Sequence, residues 1–409
     1  MPTFRVPPKD VAKFTFVFLD VQVVMNPPAL NQNRRSFTKY FFEGQELEEG
    51  RIEELKTIPE DASFDQKILI KYRKFIAFLI PFTVAQVWNL SKIRLKTLPL
   101  YSTHWQMPLT MIFGATVAGM TSEGGGAVAF PVMTFVLKID PKTARDFSLM
   151  IQTVGMSMSL FVIIFMRIQI EWRAIIMATF GAIPGVVIGF TFFDPLFTPA
   201  VKKMMFVSIW CSFAIALWIL NRQKKRPTNV VIQNFCLWKA FVLFLTGFVG
   251  GIFNSFAGSG VDICVFSVIT LLFRVSEKTA TPTTVVLMGL NSQFGFFWRA
   301  VMEGNIDQLA WDTLKVCAPV VVTFAPLGSF LGSHFHRLIL ASFIYFVEIF
   351  SLVGFLFTKP HWTLVVTGGF IVCFGLLFFS CLSRIGQVMV DRENKSQVTK
   401  DELEEFITP

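Results

Sequence analysis

From residue 75 to residue 383 the chain is a succession of apolar stretches, several of them near 20 residues long and almost without charge, separated by short polar breaks. A helix of that length rises about 30 Å, the thickness of a bilayer's hydrocarbon layer. No water reaches that depth to satisfy backbone N–H and C=O groups, so each stretch has to close its own hydrogen bonds as a helix. The expected fold is an all-α polytopic membrane protein, integral and multi-pass. Composition agrees: 53% of the 409 residues are hydrophobic and 48 are Phe, and the mean hydropathy is +0.57, beyond the range of ordinary soluble domains. Charged residues make up only 16% and gather in the first 75 residues, the last 25 and the breaks between segments.

The pattern divides the chain. Residues 1–70 read as a soluble, cytosolic extension, with "NPPALNQNRR" as a loop and "EGQELEEGRIEELK" as a charged, helix-compatible stretch. Residues 71–104 hold the first membrane segment, "FIAFLIPFTVAQVWNL" (75–90), and a basic loop with Lys92, Arg94 and Lys96. A first repeat over 105–220 contains apolar segments at 105–121, 124–138, 146–168, 174–193 and 201–220. The basic linker 221–234, which opens "NRQKKRPTN", separates it from a second repeat over 235–357, with segments at 235–257, 261–273, 282–300, 309–332 and 337–357. The last membrane segment falls within 358–384, and the acidic tail 385–409 follows. An apolar patch near the start, "FTFVFLDVQVV", is broken by Asp20 and Gln22 with no small-residue cleavage site after it, so insertion is expected to begin later. The tail resembles no retention or lipid signal.

Two of these segments, 124–138 and 261–273, are short enough to be half-helices; the first starts at Gly124 and the second directly follows Gly260. In the first half Gly119 precedes Gly124-Gly125-Gly126, then a short apolar run and "IDPKTARDFSLMIQTVG" (139–155); in the second Gly250-Gly251 precede "AGSGVD" (257–262), a short apolar run and "VSEKTATPTTVVLMGLN" (275–291). Asp140-Pro141-Lys142-Thr143-Ala144 matches Ser276-Glu277-Lys278-Thr279-Ala280, and "AIPGVVIG" (182–189) is echoed by "APLGSFLG" (325–332). The pairs Gly185/Gly189 and Gly328/Gly332 lie on one helix face and predict close helix packing. If each short segment turns back on the helix before it, three spans separate the two hairpins and they enter from opposite sides. That predicts two inverted repeats with glycine-interrupted helical hairpins, and roughly 8 to 12 membrane segments according to whether the hairpins turn back or cross. Paired interrupted segments in two halves point to a transporter's midplane site.

The ordered set "GMTSEGGGAVAFPVM", the "DPKTA" segment with its following serine, the Pro-Gly-x-x-x-Gly of 184–189 and their second-half counterparts resembles the sulfite exporter TauE/SafE family of membrane transporters, over about residues 105–383. The resemblance implies a carrier of small sulfur-containing anions, sulfite or organosulfonates, built from two inverted repeats. Two departures stand out: the second cluster is Gly258-Ser259-Gly260 rather than three glycines, and Glu123 and Asp262 stand where family members more often have an uncharged residue.

The residues point the same way on chemical grounds. A glycine cluster that opens a helix leaves free N–H groups at the positive end of the helix dipole, which suits a small oxyanion. The candidate substrate-binding residues are Thr121, Ser122, Gly124, Gly125, Gly126, Ser148, Asn254, Ser255, Gly258, Ser259, Gly260 and Thr284, with Gln152 and Asn291 nearby on the helices that follow. The plainer reading of Ser148, Gln152, Thr284 and Asn291 is a hydrogen bond within their own helix or to a neighbour. Glu123 and Asp262 pull the other way, because a carboxylate beside an anion repels it unless it carries a proton; they are the candidate proton-coupling residues. The bland alternative has them facing water at a helix end or paired with Lys315 or Lys239.

Other features exclude classes. The formal net charge of +9 comes from Lys and Arg beside apolar segments, with no aromatic-interleaved basic stripe, which fits a positive-inside bias and no nucleic-acid partner. Six cysteines in or beside apolar segments show no CxxC pair and read as buried thiols. His104, His334, His336 and His361 flank segments without metal-ligand spacing, and no cofactor is implied. Lys239, Arg299 and Lys315 lie near segment ends and are expected to snorkel; Glu348 falls halfway along 337–357, where the sequence pattern assigns it no role. No nucleophile sits with a base, so the chain reads as a carrier and not an enzyme. The rival readings are a cation carrier, with Glu123 and Asp262 as ligands, and a non-transporting scaffold or receptor.

Overall fold

The computed structural model describes residues 64–94, 97–122, 124–221 and 228–407. The extension up to residue 63, Lys96 of the basic loop, Glu123 and positions 222–227 of the linker lie outside the described residues. Among the described residues the chain is helical without strands; one isolated parallel bridge joins Asn229 to Val275.

Helices α1 (Phe64–Lys71), α2 (Arg73–Arg94) and α3 (Leu100–His104) precede two runs of the same order. The first run is α4 (Gln106–Met120), the short α5 (Gly124–Pro131) ending in a π turn (Val132–Val136), α6 (Pro141–Phe165), α7 (Trp172–Ile188) with a π turn at Gly189–Phe193, and α8 (Pro199–Asn221). The second is α9 (Leu237–Ala257), the short α10 (Val261–Ser267) ending in a π turn (Val268–Leu272), α11 (Glu277–Phe297) with a π turn at Trp298–Met302, α12 (Gln308–His334) and α13 (Arg337–Phe357). The closing helix is α14 (Trp362–Ile407). Eight helices among the described residues are long and apolar enough to cross a bilayer. On α14, Phe370, Phe374 and Leu377 are more than 70% exposed, a surface suited to lipid and costly in water.

The repeat is a repeat of backbone geometry. After α5 the N–H of Leu137 bonds the Val132 carbonyl and that of Ile139 bonds Met133; after α10 Phe273 bonds Val268 and Val275 bonds Ile269. Lys138 and Arg274 both turn the chain with φ of 56°. The next helix is then capped alike: Asp140 accepts from the Lys142 N–H with Pro141 in the first turn, and Ser276 accepts from the Lys278 N–H.

The runs interlock through glycine. Added Cβ atoms at Gly181, Gly185, Gly247 and Gly251 would lie 1.9–2.5 Å from the backbone carbonyls of Phe244, Phe248, Ala178 and Ala182, so α7 and α9 run side by side with their backbones touching. The same holds for α4 and α12, where Gly119 and Gly328 meet each other's helix backbone at 2.2 Å. Thus the helix before each break packs on the Gly-x-x-x-Gly helix of the other run, where close approach gains dispersion contacts that lipid cannot replace. Between these seams α6 and α11 pack antiparallel: Leu149, Gln152 and Met156 meet Gly295, Ser292 and Gly289 in turn.

The linker is pinned by Glu171, which caps α7, accepts the Ile232 N–H at 2.8 Å and donates its own N–H to Thr283. Burial pushes its carboxyl above the usual pKa, against the backbone donors that favour the charged form.

A methyl group forced into either seam has no room. Gly181→Ala and Gly247→Ala are each expected to destabilise the folded protein by about 1–3 kcal/mol, seen as a lower unfolding temperature in detergent. Gly369→Ala, where nothing lies within 4 Å of the added carbon, should leave that temperature unchanged.

Candidate functional site

The two breaks end their helices by different means and arrive at one place. At the first, α4 stops because Thr121 turns extended (φ −128°, ψ 171°), and α5 restarts at Gly124, whose φ of +74° favours glycine. At the second, α9 ends on Gly258 in the left-handed region (φ +76°) and α10 restarts at Val261. Gly126 faces Gln152 and Ser148 of α6, and Gly258 faces Ser148 from the other side. Gly124 lies against Met288 of α11 and a carboxylate oxygen of Asp262. Both glycine clusters therefore meet at mid-height of the antiparallel pair α6 and α11, with Ser148 between them.

The polar groups there differ in how they are satisfied. Ser259 donates its hydroxyl to Asp262 Oδ2 and the Gly260 N–H donates to Asp262 Oδ1, each at 2.7 Å, so these two donors of the second break are taken by a carboxylate of its own run. At the first break the Ser122 hydroxyl is fully buried without a hydrogen-bond partner. Gln152 is fully buried too; its carbonyl oxygen accepts from Ser292 Oγ at 3.0 Å, while its amide nitrogen has no partner and lies 2.3 Å from where a Cβ on Gly126 would sit. Unmade bonds of this kind inside a protein cost about 1–3 kcal/mol each, and here they sit beside the N-terminus of α5.

Several of the other candidates turn away. Thr121 Oγ1 donates to Val117 O, Ser148 Oγ to Ala144 O, and Thr284 Oγ1 to the carbonyls of Ala280 and Thr281, all within their own helices. Ser255 Oγ donates to Ile252 O. The Asn254 amide nitrogen is buried without a partner on the flank facing Gly295, and Asn291 donates to Leu287 O. Gly125 lies in the first turn of α5, and Glu123 is outside the described residues.

One turn along α6 from Ser148 the sequence reading missed a buried ion-pair lattice. Asp146 accepts from Arg145 Nε and Nη2 at 3.0 and 2.9 Å and from Arg299 Nε and Nη2 at 2.9 and 2.7 Å. Arg145 Nη1 also reaches the Ser255 carbonyl at 3.0 Å and Asp194 at 2.7 Å. Lys202 pairs with Asp194 and Arg299 with Glu303, and the Phe190 ring lies under both guanidinium groups. Arg299 is thus 1% exposed and does not snorkel as expected; the buried Asp146 charge, which cannot stand unpaired, holds it inside. Lys239 is buried with its ammonium on the Gln233 carbonyl, and Lys315 pairs with Asp312. The signal for the lattice was present: Arg145-Asp146 is a charged pair inside an apolar helix, which is rare without a role.

Chemically, the centre offers neutral donors at a helix N-terminus on one side and a fixed carboxylate on the other, which suits a small oxyanion and a proton. A family model described as sulfite exporter TauE/SafE matches residues 107–349. No curated protein and no solved structure matches the chain.

Gln152→Leu keeps the volume and removes the unpaired donor. Binding of small oxyanions such as sulfite or sulfate to the purified protein, followed by calorimetry, is expected to weaken at least tenfold. Thr153→Ala, whose hydroxyl bonds its own helix at Leu149 O, is expected to change it less than twofold.

Proposed function

The chain belongs to the sulfite exporter TauE/SafE family, a family of membrane transporters for sulfur anions, and from that premise we propose that it is a secondary transporter that binds sulfite or a small organosulfonate at Gly124–Gly126. The observation that carries this reading is the meeting of two glycine breaks beside the unpaired donors of Gln152 and Ser122. An oxyanion there takes backbone N–H groups of α5 together with those side-chain donors, and the helix dipole stabilises its charge without a bound arginine. Ser148, Gly258, Ser259 and Gly260 form the far wall with Asn254 nearby, while Thr121, Ser255 and Thr284 keep their hydroxyls on carbonyls of their own helices.

Asp262 makes the carrier proton-coupled in this reading. Its oxygen lies against Gly124, so an anion at the first break and an ionised Asp262 repel across a short, water-poor gap, where Coulomb energies of several kcal/mol arise. A proton taken up with the anion relieves that repulsion; Glu123 is the second candidate to carry it. The antiparallel run of α6 and α11, which hold equivalent places in the two runs, supports inverted repeats and with them an alternating exposure of one central site.

The test is uptake of sulfite, sulfate and short organosulfonates by the purified protein in liposomes, with and without an imposed pH gradient. Saturable uptake is expected, raised by acid on the side of supply, and Gly126→Val should reduce it at least tenfold. Asp262→Asn should abolish the response to the gradient. Uptake indifferent to the gradient, with full activity in Asp262→Asn and Glu123→Gln, would sink the proton coupling. A folded protein that carries none of these anions would overturn the anion reading in favour of a cation substrate or a scaffold, and uptake surviving deletion of residues 1–70 would count against the scaffold.

A further inference from the structure

The two ends of the antiparallel pair α6 and α11 are built differently. Helix α6 runs from Arg145 at one end to Ile163 at the other, about 27 Å apart at 1.5 Å per residue, with Ser148 and Gln152 between. Antiparallel α11 runs from Lys278 and Thr281 at the Ile163 end to the turn carrying Arg299 at the Arg145 end. The Arg145 end is filled by the lattice of Arg145, Asp146, Asp194, Lys202, Arg299 and Glu303. Its side-chain exposure rises from 0% at Arg145 through 17% at Asp194 to 27% at Glu303, which marks the way outward.

At the opposite end lies a pocket lined by Gly119, Met120, Lys278, Thr281, Ser329 and Ser333 among others. It opens on the last turn of α4, immediately before Thr121 and Ser122 of the first break. By the match of Lys142 with Lys278, Thr281 and Pro282 hold the places of Arg145 and Asp146; by the match of Gly189 with Gly332, Ser333 holds the place of Phe190. The pocket thus occupies the position in one run that the lattice fills in the other. Where the first run has two charges and an aromatic ring under them, the second has threonine, proline and serine.

We propose that the Lys278–Thr281–Ser329–Ser333 pocket is the access site through which a small oxyanion reaches the glycine breaks, and that the Arg145–Asp146–Arg299 lattice is the barrier closing the other side. This rests on the reading of Gly124–Gly126 as the anion site. At the pocket Ser329 and Ser333 donate their hydroxyls to Gly119 O and Phe330 O, so what favours a passing anion there is the charge of Lys278 on a wall without carboxylates. The lattice carries three cationic and three anionic side chains bonded to one another, joins α6, α7 and α8 of one run to α9 and the end of α11 of the other, and pairs each cation with a carboxylate that a passing anion would have to displace. Its loosening frees both the Ser255 carbonyl at the end of α9 and the two arginines, so opening this side and moving the second break are one event.

Sided thiol labelling tests it on the full chain in right-side-out and inside-out vesicles. The probe is the small, membrane-impermeant anion 2-sulfonatoethyl methanethiosulfonate, read peptide by peptide by mass spectrometry so that the native cysteines stay in place. Ser333→Cys marks the pocket side and Glu303→Cys the lattice side. Ser148→Cys is expected to label from the Ser333 side and at least tenfold more slowly from the Glu303 side, and Asp146→Asn should raise that slow rate at least tenfold. If Asp146→Asn does not fold, Glu303→Gln, which removes only the outermost partner, should raise it at least threefold. Labelling of Ser148→Cys equally from both sides, from the Glu303 side alone or from neither would overturn the proposal. So would folded lattice variants with unchanged sidedness, the result expected of a brace that serves only stability. The labelling is independent of which anion is carried: one-sided labelling without uptake of any sulfur anion would overturn the substrate assignment and leave the barrier standing.

Discussion

A helix that breaks inside a bilayer leaves backbone donors and acceptors with no water to take them, and the rest of this structure answers that need. At the first break the Thr121 N–H returns to the Val117 carbonyl, and at the second the Gly258 N–H returns to Asn254. The Ser255 carbonyl, left over at the end of α9, is met by Arg145, and the Gly260 N–H by Asp262. Each solution demands another. Arg145 is tolerable only beside Asp146 and Asp194, Asp146 draws in Arg299, and the chain of pairs reaches solvent at Glu303. The lattice thus follows from one unsatisfied carbonyl as much as from any need for charge.

The breaks also need rigid walls, and the glycine seams supply them. Because α4 packs on α12 and α7 on α9 with backbones in contact, the helix leading into each break is held by the other half of the molecule. Each break is thus held by both runs: Gly126 of the first also faces Gln152 and Ser148 of its own run, and Gly260 of the second bonds its own Asp262. The π turns at Val132–Val136 and Val268–Leu272 end the two short helices at matching places, and Asp140 and Ser276 cap the helices that follow.

Much of this was legible in the sequence because it is backbone physics. Span length, glycine runs inside apolar segments, the matched segments at Asp140 and Ser276 and the Gly-x-x-x-Gly pairs each constrain the chain locally, and the short segments 124–138 and 261–273 end within two residues of where the structure ends their helical turns. What was not legible depends on which side chains meet across the fold. Arg299 reads as a surface residue near a segment end until α6 brings Asp146 against it. Gln152 and Ser292 are 140 positions apart, and no local pattern pairs them. Thr284, by contrast, looks placed for a ligand, yet its hydroxyl has two carbonyls of its own helix within reach, the default fate of a threonine at that depth.

The two halves share a backbone and differ in chemistry, and the difference is concentrated at the centre. The π turns begin at Val132 and Val268; carried back at the same spacing, Asp262 stands where the first run has Gly126, and Met288 where it has Gln152. Two aspartates there would set two buried carboxylates against each other; two glycines would leave both helix starts with donors and nothing fixed to oppose them. With one of each, the second break satisfies itself through a tethered carboxylate while the first, lacking a side chain, keeps its amides beside Gln152. The exchange of glycine for aspartate thus sets a tethered carboxylate in one run opposite the unpartnered Gln152 amide of the other, and gives the meeting place of the two breaks one polar direction.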